Sequence, residues 1–471
     1  MLGACLLRFA CARGDLWLDE VWSLFLARKA HGPLDILLHL KIDNNHPLNT
    51  WILSFMPVDA PGWLIRAPAC IAGGLTAGAA IVLGRRWNES LGLTWGLLFA
   101  FSYLMVHYSS EARGYAFLVL FCLLALIGFF SHRAKPSTGN TIVFFLATVG
   151  GLLSHATFLS LLLGMAVVSI ADLVSGRGAS LRTTLTFWAG PFLATALVAL
   201  VFLRGMQVGG GNSVAIGEAL AKAAGWMVWG NGSWMASAGA FLVALLMLWR
   251  LGSGPRDAAL WLGALVTLVL APAFLLLVSP RPDLLYPRYW LVQAVVVLLA
   301  WGLCLERMWR SGGGWRLGAI GLLLVWILGN TYSLVELAVV GRGSYQEALR
   351  RVAVSTQPTL GGFGDFSDDL RNDFRNGMLV DFYRRRTDPE GRLTYVPLGS
   401  WTGSDPAWLL VISFGSEAKW RQPRLRFPRG MDFRLDRFYP SVELSGWNWS
   451  LYQRVEEKSP LPPKRSGVPF F

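Results

Sequence analysis

Four small groups of polar residues interrupt a chain dominated by apolar segments, and their types suit proton transfer beside an anionic leaving group. Asp19-Glu20 follows the first apolar segment, and His46 stands directly before Pro47. Glu111 and Arg113 follow the segment Leu91–Tyr108, and Arg281 and Arg288 follow Ala258–Val278. A carboxylate can accept a proton from an attacking hydroxyl. Arginine and imidazole groups can hold a phosphate and stabilise it as it departs. Each group also has a plainer reading. The acidic pair can cap the helix that follows it, and His46 can be a turn residue. Glu111 and Arg113 can form a local ion pair, and Arg281 and Arg288 can anchor at lipid headgroups. His31 and His39 read as facing headgroups, and His107 and His155 as structural. No spacing resembles a zinc site.

The elements that must position these groups are helices in a bilayer. The 471 residues are 54% hydrophobic and 15% charged, with a mean hydropathy of +0.45. Soluble domains carry about 25% charged residues, so the long apolar runs define a polytopic membrane protein. The net charge of +13 would point to nucleic acid in a soluble chain. Here the arginines lie in short loops between apolar runs and act first as topology signals, which leaves no call for a nucleic-acid partner. Cys5, Cys11, Cys70, Cys122 and Cys304 all lie in or beside apolar runs, so a disulfide framework is not expected.

Leu2–Ala12 is shorter than the roughly 20 residues that a spanning helix needs, so the first helix is partial or begins upstream. Spans are expected at Trp63–Leu83, Leu91–Tyr108, Tyr115–Phe130, Leu185–Leu203, Met235–Trp249, Ala258–Val278, Tyr289–Leu305 and Leu317–Leu337. Thr141–Ala171 splits into two short helices around Ser154-His155, and Arg204–Trp234 reads as a polar loop. Leu48–Met56, between Pro47 and Pro57, reads as interfacial rather than spanning. The sum is about eleven spans, with interfacial helices in an outer loop over residues 13–62. Threading them alternately puts the loops at Arg85, Arg133, Arg177–Arg182, Arg250–Arg256 and Arg307–Arg316 on one side, which is then cytoplasmic. All four chemical groups fall on the opposite, periplasmic side of a bacterial inner membrane.

Residues 1–340 therefore form the membrane domain. Beyond them charge rises, and residues 341–458 read as a small α/β periplasmic domain. Asp368–Arg386 has helical spacing, and Leu393–Val396, Trp408–Ile412 and Phe433–Phe438 read as strands. The Pro-rich segment 459–471 reads as disordered.

The segments LWLDEVWS, DNNHPLNTWILSF, LGRRW and HYSSEARGYAF, in that order, resemble the membrane glycosyltransferases with the C-type fold. Similar families are the protein O-mannosyltransferases of glycosyltransferase family 39 and the bacterial aminoarabinose and galacturonic acid transferases that modify lipid A. The resemblance covers roughly residues 13–135 and continues weakly to Tyr286–Leu291. It implies a sugar donor on a polyprenyl phosphate and an inverting transfer at the outer leaflet. By residue, it implies Asp19 as the base or acceptor orienter, with Glu20 supporting it by hydrogen bonding. His46, Arg113 and, more loosely, Arg288 would bind the donor phosphate, with Glu111, Tyr115 and Arg281 in support. Members of the family differ in metal use, so a divalent ion at Asp19 or Glu111 stays open, and no other cofactor is implied.

The expectation is thus a polyprenyl-phosphate-sugar-dependent transferase acting on a hydroxyl of a lipid, glycan or protein. A transporter or flippase of a lipid-linked saccharide is the first alternative, although charges at the boundaries rather than at the midplane fit it less well. An oligosaccharide ligase or polymerase is the second.

Overall fold

The computed structural model describes residues 1–209, 214–252, 258–279, 286–364, 374–397, 401, 406–413, 422–426 and 431–455. The chain divides into two units, Met1–Gly341 and Arg342–Phe471. The first is built of helices among the described residues, apart from one isolated bridge between Ile42 and Gln207. It opens with α1 (Leu2–Cys11), followed by three short helices within the expected outer loop: α2 (Leu18–Lys29), α3 (Pro33–Leu38) and α4 (Pro47–Ser54). Pro33 and Pro47 each sit in a first turn, where a missing N–H is not needed.

Then come α5 (Gly62–Arg85), α6 (Glu89–Phe101), α7 (Tyr103–Ser109), α8 (Tyr115–Ala134), α9 (Thr138–Ser154) and α10 (Phe158–Val174). Next are α11 (Leu181–Val198), α12 (Ile216–Trp229), α13 (Trp234–Gly252), α14 (Ala258–Leu265), α15 (Ala271–Val278), α16 (Leu291–Ser311) and α17 (Gly313–Val340). Among the described residues, six helical stretches are long and apolar enough to cross a membrane, or up to eight if each of two bent pairs is one span. The chain is a multi-pass membrane protein.

The two bent pairs are α6–α7, turned by 58°, and α12–α13, turned by 74°. A break inside hydrocarbon needs other partners for the backbone groups that it frees. At the α6–α7 break, the Tyr103 amide donates to Asn330 Oδ1 at 2.7 Å instead of to its own helix. The Phe99 and Ala100 carbonyls accept from the guanidinium of Arg8, at 3.0 and 3.4 Å. Arg8 Nε donates to Ser109 Oγ at 2.6 Å. Gly73 of α5 makes room for this contact, since a Cβ there would meet Arg8 Nε at 2.3 Å.

The segment expected to be a polar loop, Arg204–Trp234, contains α12 instead. That helix escapes a span-length reading because it has only 14 residues and carries Glu218 and Lys222, an i,i+4 pair at 2.8 Å. The start of the same connection pairs with the first loop. Asp43 N donates to Gln207 O at 2.9 Å and Gln207 N to Lys41 O at 2.8 Å.

The second unit begins with α18 (Tyr345–Ala353) and holds α19 (Phe374–Thr387) beside a six-stranded mixed sheet. Its strands are β1 (Thr359–Gly364), β2 (Thr394–Pro397), β3 (Trp408–Ser413), β4 (Arg424–Arg426), β5 (Asp432–Tyr439) and β6 (Asn448–Arg454), in the order β2-β1-β3-β6-β5-β4. β1 runs parallel to β2 and β3, while β3–β6, β6–β5 and β5–β4 are antiparallel. Trp401, Leu409, Val411, Met431, Phe433 and Tyr452 form the core on one face. The expected helix and three expected strands are α19, β2, β3 and β5. The first residues of that helix, 368–373, and the segment 459–471 lie outside the described residues.

Candidate functional site

Asp19 and Glu20 open α2, and consecutive helical residues point about 100° apart. They therefore reach different partners. Asp19 Oδ2 accepts from Arg113 Nη1 at 2.7 Å and lies 3.5 Å from Arg288 Nη1. Its side chain keeps 13% of its surface exposed, and among the described residues Oδ1 has no hydrogen-bond partner. One carboxylate oxygen is thus fixed between two guanidinium groups, and the other is free to meet a substrate.

Arg113 is almost fully committed. Its Nη2 donates to Asn44 Oδ1 at 2.7 Å and faces His46 Nε2 at 3.2 Å. Its guanidinium lies over the Tyr115 ring, 4.9 Å from the centroid. Asn44 returns a bond from Nδ2 to the Asp19 carbonyl at 3.3 Å, so the motif Asn44-Asn45-His46 and the start of α2 hold Arg113 jointly. Arg288 is held more loosely. It stacks over Tyr286 at 4.4 Å and Tyr289 at 5.5 Å, and its side chain is 16% exposed.

Glu20 is fully buried and turned away from this cluster. Its Oε1 accepts from Arg66 Nε at 2.7 Å and from the Ala112 amide at 2.8 Å. Its Oε2 accepts from Arg66 Nη2 at 2.6 Å and from the Trp17 amide at 3.2 Å. Arg66, one turn into α5, also gathers the carbonyls of Ala12, Gly14 and Asp15 at 3.0, 3.0 and 2.8 Å. One buried ion pair thus ties together the chain before α2, the first turn of α2 and the loop carrying Arg113. Glu20 was expected to support Asp19 directly; it acts instead on the backbone on either side of the site.

His46 sits at the start of α4 and is buried. Its Nδ1 lies 3.0 Å from the Ser154 carbonyl, so Nδ1 carries the proton and Nε2 accepts from Arg113. Burial, followed by the charge of Arg113, holds its pKa well below the ordinary 6.5. A neutral ring with both nitrogens engaged offers no donor to a phosphate, so the expected phosphate contact does not fit this geometry. Close packing enforces the arrangement. A Cβ on Gly114 would meet the Ser154 carbonyl at 2.5 Å and His46 Cβ at 2.7 Å.

Beside His46 lies a cavity of about 210 Å³. Asp43, His46, His155 and Tyr289 line its polar part, and Leu152, Pro272, Leu275 and Leu276 its apolar part. The His155 ring stacks on His46 at 5.2 Å, and burial pushes its pKa down to about 3. Burial raises the Asp43 carboxyl above its ordinary value.

The remaining predicted residues fall as follows. Glu111 is buried, with its Oε1 3.2 Å from His107 Nε2, so Glu111 and Arg113 face different partners. Tyr115 lies under Arg113 and edge-on to His46, at 5.0 Å. Arg281 lies outside the described residues. Among the described residues no group of three metal-ligating side chains occurs. Sequence reasoning missed Asn44, Arg66 and Asp43, and read His155 as structural. Arg66 carried a signal, because a lone arginine inside an apolar helix needs a buried partner.

Fold and site together define a multi-pass membrane protein with a buried acid–arginine cluster beside an apolar cavity. No family model matches the chain. A stretch is 39% identical over 98 residues to the apolipoprotein N-acyltransferase of Parasynechococcus marenigrum (strain WH8102). The match covers 18% of this chain and 21% of that relative, so the chain spans about a fifth of the relative's length.

Proposed function

We propose that this chain is a glycosyltransferase that moves a sugar from a polyprenyl-phosphate donor to a hydroxyl acceptor at the periplasmic face of a bacterial inner membrane. The observation that carries the reading is the state of Asp19: Oδ2 clasped by Arg113 and approached by Arg288, Oδ1 open. A base held in one orientation next to a cationic group is what an inverting displacement from a phosphate ester needs. In that step the acceptor O–H proton passes to Asp19 Oδ1, and the acceptor oxygen bonds to the anomeric carbon. The carbon–oxygen bond to the phosphate breaks, and its electron pair leaves with polyprenyl phosphate.

Arg288 receives the phosphate, because its side chain keeps 16% of its surface accessible and makes only a long contact with Asp19. Arg113 orients Asp19, and His46 and Asn44 orient Arg113. Glu20, Tyr115 and Glu111 position the surrounding backbone and rings. The apolar part of the adjacent cavity suits the first isoprene units of the donor. The reading keeps about eleven spans, the three short helices α2–α4 at the outer interface, and the second unit in the periplasm.

The partial relative brings a second reading, acyl transfer at the membrane. The cluster supports it less, because a thioester route needs an accessible thiolate. Four of the five cysteines are buried, and none contacts Asp19, Arg113 or His46.

The test is Asp19→Asn. The variant should insert and fold yet lose transfer, and mass spectrometry of the purified variant should find retained polyprenyl-phosphate sugar. Transfer near the parent rate would remove Asp19 as the base. Movement of an acyl group, or vesicle accumulation of lipid-linked saccharide without glycosyl product, would replace the reading by the acyltransferase or the flippase.

A further inference from the structure

The cavity beside His46 carries more hydrogen-bonding capacity than its own walls use. Asp43, half-buried, lines its polar part. The neighbouring Arg113 and Arg288 pair with Asp19, and among the described residues Asp43 forms no ion pair. Its place is set through the backbone. The Asp43 amide donates to the Gln207 carbonyl at 2.9 Å, and a Cβ on Gly209 would meet Asp43 Oδ1 at 3.1 Å. A carboxylate thus lines the cavity with acceptor capacity to spare.

His155 supplies the opposite polarity. Its Nδ1 accepts from the Thr157 amide at 3.1 Å, so in the neutral ring Nε2 carries the proton. The Thr157 hydroxyl, 2.9 Å from Nδ1, donates to the same nitrogen. Among the described residues the Nε2–H meets no acceptor. The ring is held by stacking on His46 at 5.2 Å and lies 5.9 Å from the Tyr289 ring. Two further side chains of the wall, Ser160 and Gln293, are buried, and Ser160 Oγ and Gln293 Oε1 have no hydrogen-bond partner. Gln293 Nε2 is spent on the Thr267 carbonyl at 3.1 Å. Polar groups left in this state are costly unless a ligand satisfies them. Among the described residues no lysine or arginine lines the cavity.

We infer that this cavity holds the transferred sugar, that Asp43 and His155 read its hydroxyls, and that the sugar is neutral rather than a uronate or an amino sugar. The inference rests on the sugar-transfer reading and narrows it. A hydroxyl both donates and accepts, so neighbouring ring hydroxyls donate to Asp43 and accept from the His155 Nε2–H. A uronate would set a second carboxylate beside Asp43 with no cation in the lining. An ammonium would satisfy Asp43 but has no lone pair for His155. The C–H face of the ring meets the apolar wall of Leu152, Pro272 and Leu275. Asp43 and His155 therefore set specificity, while the displacement stays with Asp19.

The test titrates the full chain in nanodiscs, read by native mass spectrometry, with undecaprenyl phosphate and with its glucosyl, galactosyl and mannosyl esters. The matching uronyl and 2-aminohexosyl esters complete the set. Undecaprenyl phosphate itself should bind, and the best neutral ester should bind about tenfold more tightly. Asp43→Ala/His155→Phe should erase that gain yet hold undecaprenyl phosphate as the parent does, which a misfolded variant would not. The isosteric Asp43→Asn should relieve the penalty on the uronyl esters, a charge effect that a packing role does not produce. If the parent binds undecaprenyl phosphate and every ester equally, or binds a uronyl or amino ester most tightly, the inference is overturned and the donor reading stands. A gain that survives the double variant overturns it in the same way. A parent that binds none of these ligands overturns both.

Discussion

Glu20 and Arg66 form a fully buried pair, with side chains 0% exposed on both sides, and the consequence of breaking it follows from that burial. Glu20→Gln keeps the shape but leaves the Arg66 guanidinium without its counter-charge in a dry site. Removing one partner of a buried ion pair costs about 3–5 kcal/mol, because the other charge stays buried. Arg66→Met should cost a similar amount, leaving Glu20 charged and the carbonyls of residues 12–15 without their donor. The double variant Glu20→Leu/Arg66→Met carries no buried charge and should recover more than half of that loss. Thermal unfolding in detergent should place both single variants roughly 5–10 °C below the parent and the double variant between them and the parent. Sugar transfer separates stability from positioning. The double variant should stay impaired at temperatures where it is folded, because the Ala112 amide and the 12–15 carbonyls no longer fix Arg113 and Asp19. Single variants within 1 °C of the parent would refute the reasoning, and so would a double variant with both full stability and full activity.

Other perturbations separate the cluster's remaining roles. Arg288→Lys should raise KM for the donor by about tenfold or more with a smaller change in kcat, since one bidentate charge-assisted contact is worth about 1.5–3 kcal/mol; an unchanged KM in steady-state kinetics would remove Arg288 from the phosphate. His46 makes stability depend on pH. Its folded pKa lies below 6.5, so below about pH 6.5 the unfolded chain binds a proton that the folded chain does not. Stability is therefore complete above that value and falls as the pH drops, by about 1.4 kcal/mol per pH unit for each such histidine. Buried His155 contributes in the same direction. His46→Gln should accordingly shallow the fall in Tm between pH 6.5 and 5 without removing it, and an unchanged slope would show His46 to be protonated in the folded chain.

Much of this cluster was legible because its members sit in short polar interruptions of an apolar pattern. Asp19, Glu20, His46 and Arg113 all stand where a charge beside a bilayer is costly unless used. Which acid meets which base was not legible, because that depends on the neighbours of each helix face in three dimensions. Arg66 was concealed by its span, and with it the support that holds Asp19 in place. The support comes from α5 through Arg66, and from Arg8, which stabilises the α6–α7 break. In the second unit, β3 is a continuous apolar run, WLLVIS, buried along its whole length, whereas β1 reads TLGGFG and its glycines hide it.

The arrangement also explains how two adjacent acids come to differ. Neighbours on a helix do not face each other, so Asp19 and Glu20 cannot share a proton as a dyad. The face that carries Glu20 meets Arg66 of α5, and the Ala112 and Trp17 amides complete its four hydrogen bonds. The face that carries Asp19 meets the Arg113 loop and keeps one oxygen open. Rigid burial of the first acid is therefore what keeps the second oriented with one oxygen unbonded. A glycine at 114 and a neutral His46 complete the same task, because they bring the Arg113 loop close without adding a competing charge.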